Sequence, residues 1–147
     1  MHNFFRIPLF FFFIASSLGL LLRWHFISPL ESVHYPYLLH AHSHIMFLGW
    51  VFNTLYLAYV NSYVRTKWIS RYRALYIMLQ VLVLAMLISF PLQGYGLFSI
   101  IFSTLHTILA GVFLVLFFQD LKKENLKNSA SVWFVKTSLF FFLLSSL

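Results

Sequence analysis

Three histidines within five residues form the part of this sequence that is best suited to chemistry. His40, His42 and His44 lie in the segment LHAHSH, which is followed directly by the apolar segment IMFLGW. A neutral imidazole is a ligand for haem iron and for divalent metal ions. At about 100° per residue, His40 and His44 share one face of a helix, and His42 points roughly the opposite way. A regular helix therefore cannot direct all three imidazoles at one ligand.

A fourth histidine, His106, lies inside another long apolar segment. It belongs to a stripe of mostly small residues at helical spacing, which allows a helix or a flat cofactor to come close. The stripe comprises Ser99, Ser103, His106 and Ala110. Counting about 1.5 Å per residue from the outer ends of the segments puts His44 about 10 Å and His106 about 15 Å deep. Because low-spin haem iron takes two axial ligands, we predict haem b between His44 and His106.

A transition-metal site is the alternative interpretation of the same histidines. The candidate metal ligands are His40, His42 and His44. The first and last of these have the i, i+4 spacing that suits one zinc or copper ion, as in a permease or a sensor. His34, together with Glu31 or His25 from the outer loop, would complete the shell. All three acidic residues fall between the apolar segments, so no carboxylate relay is expected inside the membrane.

Some of these polar residues also have a purely structural interpretation. His40 is expected to bind water or backbone at the membrane interface, and a hydrogen bond between helices also explains His106. Gly49 and Asn53 lie four residues apart, which predicts a helix contact in which Asn53 bonds across to another helix. Gln80 has the same interpretation. A structural subunit of a larger complex therefore stays open as a third function.

The composition restricts the class of protein that positions these residues. The chain has 147 residues, of which 61% are hydrophobic, and a mean hydropathy of +0.86. It carries ten Lys or Arg, three Asp or Glu and no cysteine, so haem cannot be attached covalently. A soluble domain needs polar residues to cover its core, so a soluble enzyme, a disordered tail and a disulfide scaffold are excluded. The net charge of +7 comes from basic residues between apolar segments, where it indicates topology and not nucleic-acid binding.

Five apolar segments predict an all-α, polytopic transmembrane helix bundle that forms a single domain. The expected spans are residues 4–22, 37–60, 74–92, 95–118 and 132–147. The first four have the roughly 20 residues that a helix needs to cross the hydrocarbon core. The fifth ends without a polar flank, so we expect four full spans, a truncated fifth and a chain that is a fragment. The first segment lacks a cleavage site and is expected to be retained.

The basic residues predict the orientation of this bundle. They follow the second and fourth segments, at Arg65, Lys67, Arg71, Arg73, Lys122, Lys123 and Lys127. By the positive-inside rule these connections and the N-terminus are cytoplasmic, so the three clustered histidines lie near the outer surface. We expect an integral protein of a bacterial inner membrane. Its partners would be the lipid bilayer and either other membrane subunits or further copies of this chain.

The segment HAHSHIMFLGW resembles the histidine-containing second helix of the haem-copper oxidase catalytic subunit, subunit I. It is also similar to haem- and copper-containing membrane proteins linked to nitric oxide stress. The resemblance implies that this helix runs inward and gives a histidine to a low-spin haem, with His44 as the match and His42 next. This chain lacks the later histidines and the tyrosine that hold the second haem and the copper. The resemblance therefore implies electron transfer or gas-ligand handling, and not a complete oxidase.

Overall fold

The computed structural model of the protein describes residues 2–29, 31, 33–123 and 130–145. Within these ranges every regular element is a helix, so the predicted all-α fold is confirmed for the described part of the chain. Short 3-10 helices lie at His2–Phe5 and Thr66–Trp68. The longer elements are α1 (Arg6–Trp24), α2 (Tyr35–His44), a π-helical segment (Ile45–Phe52), α3 (Asn53–Tyr63), α4 (Ile69–Gln93), α5 (Leu97–Lys123) and α6 (Ala130–Ser145).

Three of these helices, α1, α4 and α5, are long and apolar enough to cross a membrane. They correspond to the first, third and fourth predicted spans. The helices α4 and α5 extend beyond their apolar segments, so Arg71 and Arg73 lie in the first turns of α4 and not in a connection. The helix α6 is shorter. Residues 146 and 147 of the fifth predicted span lie outside the described residues, as does Lys127.

The second predicted span is helical throughout but is not one α-helix. The elements α2, π segment and α3 follow one another without a break over residues 35–63. The i to i+5 pattern of a π segment leaves its carbonyl groups without the i+4 donor of an α-helix. Two side chains of α3 donate to such carbonyls, Asn53 Nδ2 to Gly49 O (2.7 Å) and Thr54 Oγ1 to Trp50 O (2.8 Å). The polar residues that follow the π segment therefore stabilise it.

A pair of buried amides joins this helix to α4. Asn53 Nδ2 donates to Gln80 Oε1 (2.7 Å), and Gln80 Nε2 donates to Asn53 Oδ1 (2.8 Å). The prediction that these residues bond across helices is confirmed. Gly49 is also a helix contact as predicted, because a Cβ atom at this position would lie 2.9 Å from Cγ of Phe11 in α1.

Asp120 joins the start of α4 to the end of α5. Its Oδ2 atom accepts hydrogen bonds from Arg71 Nη2 and from the Tyr72 hydroxyl, the latter at 2.8 Å. The Asp120 side chain is only 2% exposed. The expectation that all three acidic residues lie between the spans is therefore wrong for Asp120. It is wrong because α5 continues past its apolar segment and because Arg71 offsets the charge of the buried carboxylate.

Two groups of buried apolar residues hold the helices together. The first lies between α1, α2 with its π segment, and α4, and consists of Phe11, Ala15, Ala41, Ile45, Val83, Met86 and Phe90. The second lies between α3, α4, α5 and α6 and includes Tyr56, Tyr76, Phe113, Phe117 and Leu139. Since Ala41 and Ile45 belong to the first group, it is this group that fixes the rotation of the histidine-bearing helix α2.

Candidate functional site

The three histidines of α2 lie on two different faces of the helix. His42 faces α1, where its Nδ1 atom lies 2.9 Å from the backbone oxygen of Ala15. His40 and His44 face α4, and both rings lie near Phe90. This is the division that the helical spacing predicts. It creates two separate candidate sites and leaves no common centre for the three imidazoles.

The contact with Ala15 determines which nitrogen of His42 is available. A carbonyl oxygen can only accept a hydrogen bond, so Nδ1 of His42 must carry the proton and donate it. In the neutral ring Nε2 then keeps its lone pair. Metal-ligating histidines are typically held in this way, with one ring nitrogen bonded to a backbone carbonyl or a carboxylate and the other on the metal. Nε2 is therefore the nitrogen of the neutral His42 ring that is left with a lone pair.

Gly19 of α1 allows the His42 ring to reach this position. A Cβ atom at Gly19 would lie 3.0 Å from Cε1 and 3.5 Å from Nδ1 of His42. The distance to Cε1 is tighter than an ordinary contact, whereas the distance to Nδ1 is ordinary van der Waals contact, so a methyl group at residue 19 would require the imidazole to shift by a few tenths of an ångström. The glycine thus leaves room for the ring beside α1.

A largely open cavity of about 530 Å³ lies beside His42, between α1 and the start of α2. Most of its wall is apolar and comes from Leu20, Leu22, Phe26 and Leu39. The polar side chains in the wall are those of His42, Arg23 and Tyr35. Arg23 is exposed, and no described acidic side chain forms an ion pair with it. The cavity therefore combines an apolar body, one oriented imidazole and one unpaired cation.

His40 and His44 form the second candidate site with Tyr95. The His44 ring stacks on Phe90 with centroids 4.3 Å apart and planes inclined by 17°. Its Nε2 atom lies 3.4 Å from the Tyr95 hydroxyl. The His40 ring meets the Tyr95 ring edge to face at 4.4 Å. Both imidazoles are therefore already engaged with aromatic side chains, and one nitrogen of His44 has a hydrogen-bond partner.

The outer-loop residues proposed as further metal ligands lie elsewhere. The His25 ring contacts Tyr35 at 5.4 Å, and the His34 ring contacts Tyr37 at 5.1 Å. Among the described residues no three His, Cys, Asp or Glu side chains come together in a way that could hold a metal ion. Within the described part of the chain, His40 and His44 therefore form a pair, and no third His, Cys, Asp or Glu side chain joins them.

His106 is one of the most deeply buried polar residues of the described chain. It is 1% exposed, and its Nε2 atom has no hydrogen-bond partner. Its ring meets Phe52 edge to face at 5.5 Å, whereas the His44 ring is stacked on Phe90. The two imidazoles thus have different aromatic neighbours, and their pairing on one haem stays a prediction.

Ala15, Gly19 and Arg23 contribute to the His42 site but were not selected from the sequence. They carry a recognisable signal, because they lie four residues apart along α1 and therefore on one face. Two small residues at this spacing are typical of a close helix contact in membranes. The bond to His42 itself has no sequence signal, since every residue type supplies a backbone carbonyl.

Comparison of the chain with protein-family models, with curated proteins and with solved structures finds no match in any of the three. The resemblance to the haem-copper oxidase subunit therefore depends on the HAHSHIMFLGW segment alone.

Proposed function

We propose that this chain is an integral membrane protein that binds haem b between α1 and α2 and uses it for electron transfer or gas-ligand handling. The observation that carries the proposal is the bond from His42 Nδ1 to the Ala15 carbonyl. It leaves Nε2 as the nitrogen for a ligand, on a side chain that lines the cavity.

We also propose that residues 35–63 form a fourth membrane span. This continuous helix is longer than the roughly 20 residues that span the hydrocarbon core, and its π segment does not interrupt it. The orientation follows from charge. Arg71 at the start of α4 bonds Asp120 near the end of α5, so two basic ends lie together, and we assign them and the N-terminus to the cytoplasmic side. The His42 site then faces outward.

The residues around the cavity fit a haem in three respects. The leucine and phenylalanine side chains of the wall suit a flat apolar macrocycle. The oriented imidazole of His42 suits the iron, and the guanidinium of Arg23 suits a propionate carboxylate. When bound, haem supplies a one-electron ferric/ferrous couple and a coordination position for a small gas.

Each residue of the site has a defined task in this proposal. His42 would bind iron through Nε2, and the Ala15 carbonyl would make that nitrogen a stronger ligand by accepting the hydrogen bond from Nδ1–H. Arg23 holds the polar edge of the cofactor at the mouth of the cavity. Because His40 and His44 point away from this cavity, His42 is the one α2 histidine assigned to it. In the electron-transfer role a second ligand to the iron would come from a partner subunit or a further copy of the chain, and in the gas-ligand role no second protein ligand is assigned.

Haem titration of the detergent-purified full chain tests the proposal. We expect a b-type Soret band in the wild type and in His40→Ala. In His42→Ala we expect the haem affinity to fall at least tenfold. Loss of a residue that only orients a metal-bound histidine typically lowers affinity about 10–100-fold, and loss of the ligand itself should lower it at least as much. His40→Ala is the matched control because it removes an imidazole from the same helix on the opposite face. An unchanged spectrum and affinity in His42→Ala would contradict the proposal.

A transition-metal site at His40 and His44 is the second candidate function. The observation that favours it is the convergence of both rings on Tyr95, which offers a phenol oxygen beside two imidazoles. The test measures zinc or copper binding to the haem-free protein. Loss of metal binding in His40→Ala with retention in His42→Ala would support this candidate. Retention in His40→Ala with loss in His42→Ala would reject it.

A further inference from the structure

Three cationic side chains surround the indole ring of Trp68, at the opposite end of the chain's long helices from His42. Lys67 Nζ lies 4.8 Å, Arg71 Cζ 4.8 Å and Lys123 Nζ 4.9 Å from the ring centroid. An indole ring attracts a cation over each of its two faces. Three cations around one ring also repel one another, so this arrangement gains stability from a nearby anion. We call these four residues the Trp68 cluster.

The carboxylate of Asp120 offsets only part of this charge. It accepts a hydrogen bond from Arg71, and its Oδ1 atom lies 4.0 Å from Lys123 Nζ. It is 2% exposed and is therefore directed into the protein, whereas the Lys123 side chain is 59% exposed. Along the sequence from residue 65 to residue 127 there are seven basic residues and two acidic ones. The second acidic residue, Glu124, lies outside the described residues.

The start of α4 adds further positive character to the cluster. Trp68 is the N-cap residue of α4, and it gives no side-chain cap to the first backbone N–H groups. The first turn of α4 also contains no acidic residue. Unbonded N–H groups at a helix start carry partial positive charge, which favours an anion with several oxygen acceptors.

The surroundings indicate an anion that carries an acyl chain. The cluster lies at the ends of α4 and α5, both long and apolar enough to cross a membrane, and tryptophan is enriched at membrane surfaces. Beyond the cluster the two helices expose large apolar side chains, among them Ile77, Val81 and Val115. A phospholipid satisfies both regions at once, because its phosphate meets the cations and its acyl chains cover the apolar surface.

We propose that the Trp68 cluster binds the phosphate headgroup of an anionic phospholipid at the cytoplasmic surface of the membrane. The proposal depends on the membrane insertion of the chain but not on the haem site. Lys67 and Lys123 hold the headgroup from the two helix ends, and Arg71 is shared between the headgroup and Asp120. The site is local, so it differs from the general attraction of basic loops to an anionic surface.

Native mass spectrometry of the full chain in nanodiscs tests this assignment. The nanodiscs contain phosphatidylcholine with increasing fractions of phosphatidylglycerol, and the affinity for phosphatidylglycerol is measured. We expect about a fivefold loss for Lys67→Gln and for Lys123→Gln, from roughly 1 kcal/mol per basic residue near a membrane surface. Lys67→Arg keeps the charge and is expected to keep the binding, which separates loss of charge from loss of folding.

The adjacent Lys122 supplies the matched control. It is exposed on α5 and is not one of the three cations that lie over the Trp68 ring, so Lys122→Gln is expected to bind phosphatidylglycerol like the wild type. An equal loss in Lys122→Gln and Lys123→Gln would overturn the proposal, because it would show diffuse surface attraction. Displacement of the lipid by millimolar inorganic phosphate would also overturn it. Failure of the chain to insert into nanodiscs would contradict the proposal that it spans a membrane.

Discussion

The imidazole of His42 in α2 donates its Nδ1 proton to the backbone carbonyl of Ala15 in α1 across 2.9 Å. This bond connects two helices and selects the tautomer of the ring at the same time. It separates His42 from His40 and His44, which contact Phe90 instead. The first consequence is that α1, which contains no histidine of its own, takes part in the site.

Gly19→Ala tests how tightly the His42 ring is positioned. The added methyl group would meet Cε1 of His42 at 3.0 Å and push the ring away from Ala15. Partners that orient a metal-bound histidine typically contribute 10–100-fold to affinity, so we expect about a tenfold loss of haem affinity. Gly111→Ala is the matched control, because nothing lies within 4 Å of a Cβ atom there. Equal haem affinity in both variants would contradict the assigned role of Gly19.

Arg23→Gln tests the carboxylate partner at the mouth of the cavity. The guanidinium is exposed, so its contribution is about 1 kcal/mol and the expected loss of haem affinity is about fivefold. This loss should shrink as the salt concentration rises, because ions screen an exposed pair. Arg23→Lys keeps the charge and should lose less. A loss that is independent of salt would show that Arg23 acts through packing alone.

Asn53 and Gln80 test the structural role of the buried amide pair. Replacing either residue by leucine leaves the other amide without its partner, and we expect each change to lower the free energy of unfolding by about 1 kcal/mol. The double variant should be more stable than the sum of the single losses predicts, since no amide is left unpaired. Denaturant unfolding in mixed micelles measures the cycle. Strict additivity would show that the two side chains do not act as a pair.

Asp120→Asn tests the connection between α4 and α5. The change leaves Arg71 without its charged partner, and because the Arg71 side chain is 37% exposed we expect a loss of only about 1–2 kcal/mol in unfolding free energy. Thermal unfolding in detergent provides the measurement. Leu121 lies next to Asp120 and is buried, so Leu121→Val serves as a control for a small change in the core. Equal stability of wild type and Asp120→Asn would contradict the role given to this carboxylate.

The all-helical fold and the two faces of the histidine cluster follow from sequence patterns. Apolar segments and the 3.6-residue period are local properties, and they predict α1, α4 and α5 and the separation of His42 from His44. The buried position of Asp120 could not be predicted in this way. Its neutralising partner, Arg71, lies 49 residues away in the chain and becomes a neighbour only when α4 and α5 pack together.

The His42 site is a second feature that local sequence patterns do not predict. Depth predicts His44 and His106 as a pair for one haem, and this pairing stays a prediction. The contact of His42 with α1 depends on a different property, namely which residues are small enough to allow close approach. The spacing of Ala15 and Gly19 contains this information, but only the folded chain shows that α2 is the helix that approaches them.

Ligand rescue of His42→Gly tests the central claim most directly. This variant is mixed with haem, and its absorption spectrum is recorded with and without free imidazole, alongside His44→Gly treated in the same way. We predict that haem binding is lost in His42→Gly, returns when imidazole is added, and is unaffected in His44→Gly. Wild-type haem binding by His42→Gly without imidazole would contradict the assignment of His42 as the axial ligand.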